Sequence, residues 1–327
     1  MQAKRARGAT RRNLAFAGAA VCFLSPAFAQ LKAPDSPPDL QGIWNSATAT
    51  PLERPAQFKD REFFTREEAA DWERRAAARR EDPKPDVATR NFVSYNALFY
   101  ETGTRLLKSL RTSIITDPPD GRIPALTSAA AAEKKRRLEA LNHPQEPKDL
   151  GLQDQCIAFS SAVPPMRPYI YNSNYQIIQT SHEVVIHVEM IHDTRIIHLD
   201  RQGHLPANVQ FWLGDSVGRW EGRTLVVDTT NFKDGGAFFG DAGGMFGTDQ
   251  NLYVVERLSL SDPNTILYRF EVDDPTAFTR QWKGELTMSR SDGPIFEYAC
   301  HEGNYALEDL LNGERARERA EPAAKQQ

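Results

Sequence analysis

Cysteine is scarce in this chain, 3 in 327 residues. None stands in a C-x-x-C or C-x-x-C-H arrangement, so a thioredoxin-type redox pair and a c-type haem are not expected. G-x-S-x-G, a Walker loop, G-x-G-x-x-G after a strand and H-E-x-x-H are missing too. Nucleotide cofactors and the commonest serine-hydrolase scheme are therefore not expected, and the sequence calls for no cofactor. There is no excess of basic charge: the formal net charge is −4, which argues against a nucleic-acid partner. Nor is there an apolar run long enough to span a bilayer. The partner that these absences leave is a small molecule. Oligomeric state cannot be read from the sequence.

The N-terminus reads as a signal peptide over residues 1–29. It has a basic start, a short apolar stretch from Leu14 to Leu24, and Ala27-Phe28-Ala29 as a small-x-small cleavage pattern. The Arg11-Arg12 pair suits either twin-arginine or ordinary secretory export. The mature chain is expected in the periplasm or medium. Cleavage removes five basic and no acidic groups, taking the formal charge from −4 to −9. It also removes Cys22, leaving Cys156 and Cys300. In an oxidising compartment these are expected to pair; two buried free thiols are the alternative. The bridge would contribute about 4–5 kcal/mol at most in the chain-entropy model.

A single domain is expected over residues 30–312, with a helical insertion at about 62–145 and a disordered tail over 313–327. In the insertion, Thr65 with Glu68 suits the N-terminus of one helix. A second helix is expected over 94–110, a hairpin over 111–126 turning at Pro119-Asp120-Gly121, and a third helix over 128–142. From about residue 165 strand-like runs recur, separated by Gly, Asp, Asn and Pro, as in an antiparallel barrel or sandwich. Alternation puts Leu252, Val254, Leu258 and Leu260 on one face with Glu256, an acid among apolar neighbours. Ile266, Tyr268, Phe270 and Val272 share a face, as do Trp282, Gly284, Leu286 and Met288. Gly42-Ile43-Trp44 resembles the opening strand of the lipocalin and wider calycin barrels. The fold expected is thus mainly β, an antiparallel calycin- or lipocalin-like barrel with an N-terminal helical insertion.

The run from Val184 to Asp200 concentrates His187, His192 and His198 with Glu189 and Arg195. Alternation places His187 and Glu189 on one face, and a turn at Asp193 would return Arg195 towards Glu189. Three readings compete: acid–base chemistry, a metal held by His187, Glu189 and His301, or the wet face of a sheet. The run from Asp292 to Tyr305 adds Glu297 and His301 opposite Phe296, Tyr298 and Cys300. In the acid–base reading Glu189 or His192 is the base, Arg195 the anion partner, and His301 with Tyr298 or Glu297 the proton donor. Trp212, Trp220, Glu256, Phe238 and Phe239 are candidate substrate contacts.

"DPPDGRIP", "EMIHDTRIIHLD", "WLGDSVGRWEG" and "EYACHEGNY" together resemble a large family of exported, β-rich bacterial proteins without an assigned activity. That resemblance implies export and a calycin-like fold. Where such proteins read "ILHEMIHD", this chain reads "VIHVEMIHD", which shifts weight from His187 to Glu189, His192 and Arg195. The function expected is acid–base catalysis of the lyase or isomerase type on a small apolar or aromatic molecule. The alternatives are a binding protein without chemistry and a metal-dependent hydrolase.

Overall fold

The alternation seen from Asn174 to Ser291 builds the wall of a closed barrel. A computed structural model describes residues 36–59, 61–81, 101–159, 161–169, 172–233 and 250–324. The expected signal peptide, Phe238 and Phe239 lie outside them. The strands are β1 (Gly42–Asn45), β2 (Ile115–Asp117), β3 (Asn174–Gln179), β4 (Glu183–Val188), β5 (Thr194–His198), β6 (Asp215–Glu221), β7 (Thr224–Thr230), β8 (Tyr253–Asp262), β9 (Thr265–Asp273) and β10 (Trp282–Ser291). The helices are α1 (Arg66–Glu81), α2 (Ser128–Asn142) and α3 (Ala306–Ala324).

Nine strands close on themselves in the order β1-β3-β4-β5-β6-β7-β8-β9-β10, with β10 returning to β1. The expectation of a purely antiparallel sheet needs correction. β5 and β6 run parallel and share only the pairs Ile197↔Ser216 and His198↔Val217. A parallel neighbour requires the chain to travel back between strands, and residues 199–214 make that return. This joint shares fewer register pairs than any other in the described wall; the next shortest, β1 with β10, has three.

Inward positions are filled by side chains. Trp44, Tyr175, Tyr268, Phe270 and Trp282 are fully buried with the aliphatic residues around them. Burying each such side chain is worth about 1.5–3 kcal/mol. Gly284 faces Phe270 across β9 and β10; a Cβ there would stand 2.2 Å from Phe270 Cζ, so the ring takes the space a side chain would need. Trp44 donates from Nε1 to the Leu40 carbonyl at 2.8 Å. The Arg290 guanidinium covers its ring, 4.3 Å from the centroid. Outward positions carry ion pairs such as Arg269–Glu285 and Lys283–Glu271.

The helical region agrees in part. Thr65 and Glu68 bond reciprocally, Glu68 N to Thr65 Oγ1 and Thr65 N to Glu68 Oε2. α2 starts at Thr127, whose Oγ1 accepts from Ala130 N. The second helix expected is not seen in its described part: residues 101–110 are irregular. The hairpin over 111–126 is also corrected. The turn at Pro118–Gly121 forms, but Ile115–Asp117 pairs with Lys283 and Gly284 of β10 instead of folding back on its own flank. β1 covers only Ser289–Ser291 of β10, so the other end of that edge is left for β2. The tail expected to be disordered from 313 is helical as far as Ala324, anchored by buried Leu311 and Glu314. Among the described residues no helix is long and apolar enough to cross a membrane.

Candidate functional site at the β5–β6 joint

Arg195 and Glu256 occupy inward positions on strands three apart in the sheet, β5 and β8. Both are buried, and they form a two-pronged ion pair. Arg195 donates from Nη1 to Glu256 Oε1 at 3.1 Å and from Nη2 to Oε2 at 2.6 Å. On the way Nη2 reaches Ser216 Oγ of β6 at 3.2 Å and Thr229 Oγ1 of β7 at 3.4 Å. Tyr268 of β9 donates its hydroxyl to Glu256 Oε1 at 2.7 Å and accepts from Met166 N at 2.9 Å. Burial, helped by the Glu256 charge, pushes the Tyr268 phenol well above its ordinary pKa, so it remains a donor. A polar belt thus crosses five neighbouring strands inside an apolar barrel and bridges the thin β5–β6 seam. Buried charges are tolerated when paired and hydrogen-bonded in this way.

The expected closeness of Arg195 to Glu189 is therefore corrected: Arg195 turns into the barrel towards Glu256. The common face of His187 and Glu189 is corrected as well. β4 ends at Val188, and Glu189 has helical backbone angles at the start of a 3-10 turn, Met190–His192. Ile191 and His192 take positive φ, 59° and 56°, which a β-branched residue such as Ile191 adopts only under constraint. Buried Glu189 accepts from Asn174 Nδ2 at 2.8 Å and from Phe296 N at 3.0 Å. His192 Nε2 accepts from Tyr298 N at 2.9 Å. Two side chains thus satisfy alternate amides of the C-terminal segment, as a strand edge would. The structure brings Glu189, His192 and Tyr298 together, though through the Tyr298 backbone. His187 faces outward, stacked on His192 at 5.8 Å and bonded to Thr194 Oγ1. Burial, with His192 beside it, lowers its pKa. Glu297 and His301 are exposed. Among the described residues no three His, Cys, Asp or Glu stand together so as to hold a metal. Cys156 and Cys300 are bonded.

Beside the belt, where β5 and β6 part, lies a cavity of about 370 Å³. Ile157, Leu205, Phe211, Trp212 and Leu213 give it apolar walls; Asp193, Thr194, Arg195, Ile196, His198, Gly214, Asp215 and Ser216 complete them. This size and mixture suit a small ligand. Trp212 lines it, with the Lys233 ammonium 4.5 Å from its ring centroid. Trp220 does not line it. It sits near the far end of β6, opposite Leu225, so the two tryptophans cannot rim one ligand here.

Most charges on this wall are matched. Asp215 receives Arg201 Nη2 at 2.5 Å, His204 Nδ1 at 3.1 Å and Leu205 N at 3.0 Å. Burial acts to raise its pKa, but these partners outweigh it and hold the carboxyl below its ordinary value. His198 stands 3.4 Å from Glu183. Asp193 is different. It forms no ion pair among the described residues; its Oδ2 is sealed without a hydrogen-bond partner, as are Nε of Arg195 and of Arg201, and burial pushes its pKa up to about 6. Because this lies above the ordinary 3.8, the neutral form favours folding. That contribution is whole below the unfolded pKa and lost as pH rises through about 6.

The sequence marks Asp193 only as a turn residue and gives no functional signal for Arg201, His204 or Asp215. Nothing local marks them; they become a site when the return over residues 199–214 lays them against β5. No family model matches the chain, and neither a curated protein nor a solved structure matches it with significance.

Proposed function

We propose that the chain is an exported enzyme that binds a small apolar or aromatic molecule in the β5–β6 cavity and acts on it by acid–base chemistry, as lyases and isomerases do. The observation that carries this reading is Asp193, a half-buried carboxyl that lines the cavity and forms no ion pair among the described residues, on an otherwise apolar or charge-matched wall. A group that titrates near neutrality and stands beside a bound ligand is suited to take or give a proton. Glu189, by contrast, already accepts from Asn174 Nδ2 and Phe296 N, and His192 Nε2 from Tyr298 N. The export part of the reading draws on the N-terminal pattern and on the family resemblance of the motifs.

The test is conversion of small aromatic compounds, followed by mass spectrometry. With Asp193 as base, the rate should rise with pH through about 6 as the carboxyl ionises. Asp193→Asn should lower it about 100-fold or more, the usual contribution of a positioned acid or base. A compound retained unchanged by the wild type at every pH would make the chain a binding protein instead.

A further inference from the structure

The chemistry of the cavity also limits what enters it. Resting on the placement of the site just given, we propose that its ligand is a protonated amine on an apolar body the size of one or two aromatic rings. The charges on the wall lead there. Arg195 is matched by Glu256, Asp215 by Arg201 and His204, and His198 has Glu183 beside it. Asp193, on the same wall, is the anion left without a cation: among the described residues it forms no ion pair, and its Oδ2 has no hydrogen-bond partner. The Lys233 ammonium, beside the wall, lies over the Trp212 ring.

A half-buried carboxylate that lacks a counter-charge gains from a ligand that supplies one. An ammonium donates to it a charge-assisted hydrogen bond, about twice as strong as a neutral one. A carboxylate ligand would meet like charge in a poorly solvated place. The apolar part of the ligand would displace water from Ile157, Leu205, Phe211 and Leu213. Ammonium binding favours the ionised form of Asp193, so affinity should increase with pH through the Asp193 titration and stay high until the amine itself loses its proton.

Calorimetric titration with 2-phenylethylamine, 2-phenylethanol and phenylacetate separates the possibilities. At pH 8 the amine is expected to bind about tenfold or more tighter than the alcohol, the ratio that corresponds to 1.4 kcal/mol, and phenylacetate more weakly than either. The preference should shrink towards pH 5 and disappear in Asp193→Asn at pH 8. Equal binding of amine and alcohol, tighter binding of phenylacetate, or no binding of the amine would overturn the inference. So would an amine preference that survives Asp193→Asn. These outcomes are distinct from the fate of the catalytic reading. Asp193-dependent conversion of a neutral compound without amine preference would leave that reading standing and this one refuted. Amine retained selectively without conversion would do the reverse.

Discussion

Glu256→Ala is expected to destabilise the protein by about 3–5 kcal/mol, the cost of leaving one member of a buried ion pair alone. Arg195 would then keep its charge with its side chain only 1 % exposed, and its remaining partners, Ser216 and Thr229, are neutral hydroxyls. The loss spreads further, because Tyr268 donates to the same Glu256 oxygen. The β5–β6 seam, with two register pairs, would depend on the hydroxyl contacts alone. Equilibrium unfolding in guanidinium measures the effect. The double variant Arg195→Met/Glu256→Leu should recover much of the stability, since apolar residues of similar volume often replace a buried pair at little cost. A single variant within about 0.5 kcal/mol of wild type, the range of ordinary surface substitutions, would show that the belt does not brace the barrel.

The second large effect concerns the bond between Cys156 and Cys300, which are 144 residues apart. Closing so long a loop restricts the unfolded chain, and Cys156→Ser/Cys300→Ser is expected to cost roughly 2–5 kcal/mol. The structural consequence should be local as well as global. Cys300 ends the segment whose Phe296 and Tyr298 amides are held by Glu189 and His192. Without the bridge, the segment relies more on those two hydrogen bonds, each worth about 1 kcal/mol net, and on the Asn304 bond to the Asp154 carbonyl. Hydrogen exchange at the Phe296 and Tyr298 amides should therefore accelerate before the barrel strands respond. Unchanged unfolding and exchange after reduction would contradict this.

How much of this was legible depends on the distance over which each feature is decided. The inward faces of β8, β9 and β10 follow from alternation, because a strand with one wet side writes its own burial pattern. Glu256 stood out as a buried acid for the same reason. Its partner Arg195 did not, because the pairing crosses three strand intervals and nothing between neighbours announces it. The Thr65–Glu68 cap is local and was readable; the partner of Ile115–Asp117 is set by which length of β10 remains uncovered, and was not. In the run around Glu189, alternation failed because the strand stops at Val188, short of the turn expected at Asp193. That early end turned Glu189 from a neighbour of His187 into an acceptor for the C-terminal segment. The cavity was hidden most completely. It arises from the parallel joint, and parallel pairing is fixed by the path of residues 199–214, not by the composition of β5 or β6.

The claim that the β5–β6 cavity is the working site is tested most directly by filling it. Thr194 is exposed on β5 and lines the cavity, so Thr194→Trp can place an indole there without disturbing the buried belt. With the melting temperature checked against wild type, binding of 2-phenylethylamine and conversion of any aromatic substrate are measured on both proteins. The expected result is an intact fold that has lost both. Full binding and turnover in a folded Thr194→Trp protein would place the function elsewhere.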